Sequence, residues 1–268
     1  MISCRLRKGE EHGLSGDLCH RLRRIGSHIL LRFGLGTLLL PAFAVFFAVE
    51  RAVALTAVVH FLNGVFKLGL VWRHIDWGVV IRFGLPAIVG AFAGAWSLLA
   101  ISDTQPLFTY SLLGRLLEVA PAKLIIGILL LFFATAEVSP AFRRLSFPPQ
   151  YLPVGGLLSG FFGGLAGMQG ALRSVFLVKA GLSKERYVAT SAAIAFLIDV
   201  SRLSVYSQLL LKHRGEFDYV LLTAAVISAF LGATLGNRYL PKVTMAGIQR
   251  LVAVMLFVVA LGLIAGIL

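Results

Sequence analysis

The chain has 268 residues, 58% hydrophobic and 14% charged, with a formal net charge of +13 and a mean hydropathy of +0.89. A soluble domain carries about 25% charged residues, so that class is excluded, and nucleic-acid binding with it, because no soluble basic domain is present. The uncharged runs do not alternate, which excludes a membrane β-barrel; an all-α polytopic membrane protein remains.

Residues 1–32 hold seven Lys/Arg against three Asp/Glu. The apolar stretch at 29–31 is too short for the h-region of a signal peptide, so the segment reads as a basic, poorly ordered tail. Cys4 and Cys19 both lie in it, and with His12 and His20 they lack a zinc spacing. Neither a metal nor another cofactor is expected. Apolar runs follow at 35–49, 52–72, 77–100, 119–138, 152–180, 188–211, 218–240 and 246–268. Several exceed the length needed to cross about 30 Å of hydrocarbon. The first is short, and the fifth is long and broken by glycines. The reading is about seven to eight transmembrane helices. Lys/Arg totals on alternate loops are nearly equal, which leaves the orientation open.

Two stretches of the chain match. At an offset of 135, Glu50-Arg51 falls on Glu185-Arg186, Ala54 on Ala189, Phe61-Leu62 on Phe196-Leu197, and Lys67 on Arg202. After a seven-residue insertion the offset becomes 142, and Asp76-Trp77 falls on Asp218-Tyr219, Gly90 on Gly232 and Gly94 on Gly236. The expected organisation is a tail (1–32), a first transmembrane repeat (33–138), a Pro- and Arg-rich linker (139–151) and a second repeat (152–268). Many secondary transporters are built from such repeats, with the substrate site between them. Parallel and inverted arrangements both remain open.

Polar residues inside these runs mark where chemistry can sit. Thr56, His60, Asn63 and Lys67 are spaced to share one face of a helix. Lipid cannot satisfy that face, so it turns to the bundle interior or to a wet cavity; snorkelling of Lys67 and helix-to-helix bonding by the others is the plainer alternative. On 188–211, Ser191 and Arg202 occupy the equivalent face. Asp199 is three residues from Arg202 and can pair with it. A charge at the middle of a span costs at least about 2.5–3.5 kcal/mol. The pair is either a self-neutralising packing device or a binding and proton-coupling group. Residues 155–174 read G-G-L-L-S-G-F-F-G-G-L-A-G-M-Q-G-A-L-R-S, too rich in glycine for a uniform helix. Gly160 and Gly164 can serve close packing. A break between Gly163 and Gly170 would open backbone N–H groups at a half-helix start, where anions are favoured, with Gln169, Arg173 and Ser174 as side-chain donors. The first unit's counterpart is G-L-G-T at 34–37. G-x-x-x-G at 90–94 and 232–236 reads as helix packing, Trp77 and Tyr219 as interfacial anchors, and Glu137 and Arg143-Arg144 as solvated. No H-E-x-x-H, Walker loop or nucleophile elbow occurs, so no enzyme is expected.

The 155–174 segment, with V-A-T-S at 188–191 and I-D-V-S-R-L at 198–203, resembles the second repeat of the TauE/SafE sulfite-exporter family. G-L-G-T-L-L-L-P at 34–41, with A-L-T-A-V-V-H-F-L-N-G-V-F-K, resembles its first. The resemblance spans about residues 33–268. It implies a multi-pass permease of the bacterial inner membrane that moves sulfite, sulfonates or related oxyanions and organic acids, often outward. It places Gly167, Gln169, Gly170 and Arg173 in the second repeat's motif, and Gly36 and Thr37 in the first's. With Ser174, Asn63, Lys67 and Arg202 these form the expected substrate site, and Asp199 and His60 are the candidates for proton coupling. The expected partners are a small anion and the lipid bilayer. One departure stands out: residues 19–33, where the family has an apolar helix, are too basic to span, which reads as a first half-helix missing or altered. A non-transporting scaffold or accessory subunit, or an inactive truncated permease, is the alternative.

Overall fold

The computed structural model describes residues 36–112, 114–213, 215, 220, 222–224, 226–228 and 245–268. The basic tail, Gly34, Tyr219 and the G-x-x-x-G at 232–236 lie outside the described residues.

A short helix α1 (Gly36–Ala44) leads into α2 (Val49–Val71), which continues through a 3-10 turn (Trp72–His74). Asp76 then starts α3 (Trp77–Ser102) by accepting the Val79 N–H at 3.1 Å, an ordinary N-cap. A hairpin of β1 (Phe108–Leu112) and β2 (Arg115–Val119) follows, then α4 (Pro121–Val138) and the single turn α5 (Pro140–Arg144). α6 (Leu152–Ala166) and α7 (Gly170–Leu177) are separated by a break. α8 (Lys184–Lys212) starts at Ser183, whose hydroxyl accepts the Arg186 N–H at 3.3 Å, and α9 (Met245–Ile264) closes the chain.

Three helices among the described residues are long and apolar enough to cross a membrane: Val49–His74, Trp77–Ser102 and Lys184–Lys212. Two shorter apolar helices, Pro121–Ala136 and Val252–Ile264, accompany them. Helices dominate because hydrocarbon offers the backbone no partners outside the segment. On α3, Ile81, Leu85, Val89 and Trp96 are exposed along one stripe, the side suited to lipid.

The opposite side of α3 packs against α6 through glycine. A Cβ on Gly90 would fall on the backbone of Leu157, one on Gly94 on Phe161, one on Gly160 on Ala87 and one on Gly164 on Ala91. The G-x-x-x-G at 90–94 is therefore a packing motif that lets two backbones touch, and Gly160 and Gly164 belong to the same seam. Elsewhere α4 packs on α9, and α8 packs on both α2 and α3.

α2 and α8 run antiparallel. Thr56 and Arg202 both border Gly167, Phe61 stacks on Phe196 with ring centroids 5.5 Å apart, and Asp76, just beyond α2, bonds Thr190 and Arg186. As numbers rise along α2, their partners on α8 fall.

The hairpin departs from the all-α expectation. Phe108, Tyr110 and Leu112 alternate with polar residues, and Gly114 supplies a positive φ of 76° for the turn. The Tyr110 hydroxyl donates to the Ala265 carbonyl at 2.6 Å, which ties the hairpin to the end of α9.

Candidate functional site

The break between α6 and α7 holds the buried polar groups together. α6 ends on Gly167, which is left-handed at φ 73°, a conformation glycine adopts without the Cβ penalty. Its N–H donates to Gly163 O at 2.9 Å, and the Met168 N–H donates to Phe162 O at 3.4 Å. Gln169 precedes α7 and is buried; the Ser159 hydroxyl fixes it by donating to its carbonyl at 3.0 Å. The expected break between Gly163 and Gly170 therefore falls at Gly167–Gln169, and the start of α7 points the first-turn N–H groups of a new helix at it.

Side chains form a continuous relay across the break. Arg173 Nη1 donates to Gln169 Oε1 at 2.9 Å, and Arg173 Nε to Ser191 Oγ at 2.8 Å. Gln169 Nε2 donates to Asp199 Oδ1 at 3.2 Å. The same carboxylate oxygen takes Arg202 Nε at 2.9 Å and faces Arg202 Nη2 at 2.8 Å. Arg202 Nη1 reaches the Gly163 carbonyl at 3.4 Å. Both members of this ion pair are buried, Arg202 completely. Beneath it the Tyr206 hydroxyl donates to the Gly164 carbonyl. The α6 end thus anchors α8 through two of its own terminal carbonyls.

Lys67, half-buried on α2, lies close enough to Arg173 for the two charges to repel, and Tyr187 on α8 is likewise within reach of Arg173. One turn before Lys67, Asn63 is buried, and its Oδ1 has no hydrogen-bond partner among the described residues. Its amide group has two interchangeable orientations, so the same place can receive an acceptor or a donor. The cluster holds three cations, Lys67, Arg173 and Arg202, and one acid, Asp199. The acid is spent on Arg202. Arg173 is hydrogen-bonded to two neutral groups, Ser191 and Gln169. A guanidinium held in this way can take an anion.

The structure brings Gly167, Gln169, Gly170, Arg173, Asp199 and Arg202 to the break, with Lys67 and Asn63 facing it from α2. Ser174 is not joined to the relay, because its hydroxyl donates back to Ala171 O at 2.7 Å within α7. Gly36 starts α1, as Gly170 starts α7, and the Thr37 side chain lies outside the described residues. His60 is half-buried on the α2 stripe. Two groups escaped the expected site. Ser159 supports Gln169 across the break, and no pattern in the sequence marks it. Ser191 orients Arg173, and its spacing of eleven from Arg202 put it on the right face. No cluster of three or more His, Cys, Asp or Glu able to hold a metal occurs among the described residues.

A helical membrane protein with an arginine held by neutral partners at a broken helix has the makings of an anion carrier. The comparison with known families agrees: the model of the sulfite exporter TauE/SafE family matches residues 29–263, nearly the whole chain, and the chain belongs to that family. No curated protein and no solved structure matches it. It is an integral membrane protein of a transporter family.

Proposed function

We propose that the chain is a secondary transporter of small oxyanions, sulfite and sulfonates first among them and organic acids behind them, which exports them across the bacterial inner membrane as a multi-pass permease. The observation that carries this reading is Arg173: a guanidinium fixed by Ser191 and Gln169, without an acid of its own, beside Lys67 and the start of α7. A planar fork of donors suits a sulfonate or carboxylate face. Arg202 is less suited to first contact, since its donors face Asp199 and Gly163. Asp199 acts in this reading as a tethered anion that neutralises Arg202. Its protonation, with His60 as a relay, is the route by which transport would couple to protons.

The two units are read as inverted repeats. Phe61 and Phe196 are counterparts at the offset of 135, and they stack on each other. A residue that meets its own counterpart lies on a two-fold axis. With α2 and α8 antiparallel, that axis runs across them, in the membrane plane. The same axis exchanges Thr56 with Ser191 and Lys67 with Arg202. Thr56 neighbours Arg202 through Gly167, and the axis then calls for the same nearness of Lys67 to Ser191, whose hydroxyl accepts from Arg173.

Counterflow of labelled sulfite, sulfonates, sulfate and carboxylates in proteoliposomes tests the function. Exchange of at least one oxyanion is expected, with loss in Arg173→Ala. Exchange of none, or normal exchange in Arg173→Ala, overturns it.

A further inference from the structure

Gly64 differs from the glycines of the α3–α6 seam. At Gly90, Gly94, Gly160 and Gly164 an added Cβ would fall on a neighbouring backbone, and close packing is what those positions need glycine for. Gly64 is buried on α2 as they are on their helices. Yet an added Cβ there would meet nothing within 4 Å among the described residues. Packing therefore does not call for glycine at this position, and glycine weakens a helix interior relative to alanine. The result is a sheltered gap at the side of α2.

The repeat relates this gap to a group in the second unit. The offset of 135 that sets Lys67 on Arg202 also sets Gly64 on Asp199. In the second unit the acid three residues before the cation is its partner: Asp199 Oδ1 takes Arg202 Nε at 2.9 Å and faces Nη2 at 2.8 Å. In the first unit the same spacing puts Gly64 and Lys67 on one side of α2, about 60° apart. An anion beside Gly64 is then within reach of the Lys67 ammonium, but the chain supplies no carboxylate there. The charge that Lys67 meets is that of Arg173, another cation. Asn63 gives the gap a polar wall. It lies about 40° round α2 from Lys67, is 4% exposed, and its Oδ1 has no partner among the described residues. Turned over, its amide presents N–H donors instead.

We infer that the gap at Gly64 seats the transported anion as the counter-ion of Lys67, in the place that the second unit fills with its own Asp199. The inference rests on the permease reading given above. The seat takes an anionic head of about carboxylate size, with oxygens for the Lys67 ammonium and the Asn63 amide; sulfonate, sulfite and carboxylate share that chemistry. An anion there relieves the repulsion between Lys67 and Arg173 and gives the buried amide a partner. The two units then differ in one respect. The second carries its anion on the chain and keeps it, and the first takes its anion from solution and gives it up. Glycine is needed at position 64 because a side chain there would occupy the seat.

Binding of labelled methanesulfonate to the purified protein tests it, with the melting temperature read beside it. Gly64→Asp supplies the missing carboxylate in open space. A tethered carboxylate competes at high effective concentration, so binding should weaken by about tenfold or more. The rise in melting temperature that methanesulfonate gives the parent should vanish, while the melting temperature without ligand is no lower than the parent's. Gly64→Asn has the same size without the charge and should lose markedly less binding. Parent-like binding by Gly64→Asp, or an equal loss in Gly64→Asp and Gly64→Asn, overturns the inference. A second measurement does not depend on burying a carboxylate. Gly64→Cys, made together with Cys4→Ser and Cys19→Ser, puts a small thiol in the gap. An anionic methanethiosulfonate reagent should modify it, and saturating methanesulfonate should slow the modification by about fivefold or more. No modification, or a rate that methanesulfonate leaves unchanged, overturns the inference, since the seat must admit an anion. These outcomes remove the seat and leave the permease reading intact. Failure of the parent to bind any oxyanion removes the permease reading, and the seat falls with it.

Discussion

Replacing Asp199 by Asn removes the only acid in a cluster that also holds Lys67, Arg173 and Arg202. Arg202 is fully buried, and its Nε and Nη2 both address Asp199 Oδ1. Without the carboxylate it keeps only neutral acceptors, the amide oxygen of the new Asn and the Gly163 carbonyl at 3.4 Å. Breaking a buried pair from one side costs about 3–5 kcal/mol, because a charge is left behind without water. Arg202→Met breaks it from the other side and leaves Asp199 with Gln169 alone, at a similar cost. Removing both leaves no stranded charge. The double variant should therefore be more stable than the sum of the single losses implies, by roughly 2 kcal/mol or more. Unfolding in mixed micelles reads this directly, because the three tryptophans, Trp72, Trp77 and Trp96, report from α3 and from the turn before it. A further effect is specific to the pair: Asp199→Asn frees Arg202 for an external anion, so oxyanions should stabilise this variant more than the parent. At 100 times the dissociation constant the gain is about 2.7 kcal/mol. Simple additivity of the two single variants, with no added response to oxyanions, would refute the idea that Asp199 serves as the internal anion of Arg202.

The other predictions concern the seam, the break and the axis. Gly160→Val places a side chain on the Ala87 backbone, and overpacking of this kind costs about 1–3 kcal/mol at the least; the yield of folded protein in mild detergent should collapse, whereas a change at Gly69, which has open space around it, should leave it unaltered. Gly167→Ala forces a side chain into a left-handed position, at about 1–2 kcal/mol, and sets its Cβ 3.0 Å from Arg202 Nη1; it should lower the melting temperature and weaken anion exchange together. Inverted repeats place the starts of α2 and α8 on opposite membrane faces, so single cysteines at Glu50 and Glu185 should be labelled by impermeant reagents from opposite sides. Labelling from the same side would sink the inverted reading.

Much of this site was legible because charged residues in an apolar run have few explanations. Asp199 and Arg202 stood out for that reason, and their spacing of three already implied the pair. The glycine density of 155–174 announced a break, yet the sequence left its place open between Gly163 and Gly170. Only the left-handed backbone at Gly167 fixes it, because glycines that relieve close packing look the same in sequence as a glycine that ends a helix. Gly160 and Gly164 turned out to be the former. Ser174 sits on a short helix whose own carbonyl satisfies it, a local choice that helical periodicity does not reveal. Asp76 and Arg186 were visible as residues kept in both repeats at the two offsets. Their contact joins positions 110 residues apart, and periodicity within one helix carries no information about such a pair. The hairpin at 108–119 was missed because it lies between apolar runs, where the search for spans ends.

The central claim is that Arg173 binds the anion. Equilibrium binding of labelled oxyanion to purified protein tests it without any assumption about direction or coupling. The parent should show saturable binding that other small oxyanions displace. Arg173→Ala should lose it while keeping its fold, and Ser174→Ala should bind as the parent does. Equal binding by the parent and by Arg173→Ala would contradict the account.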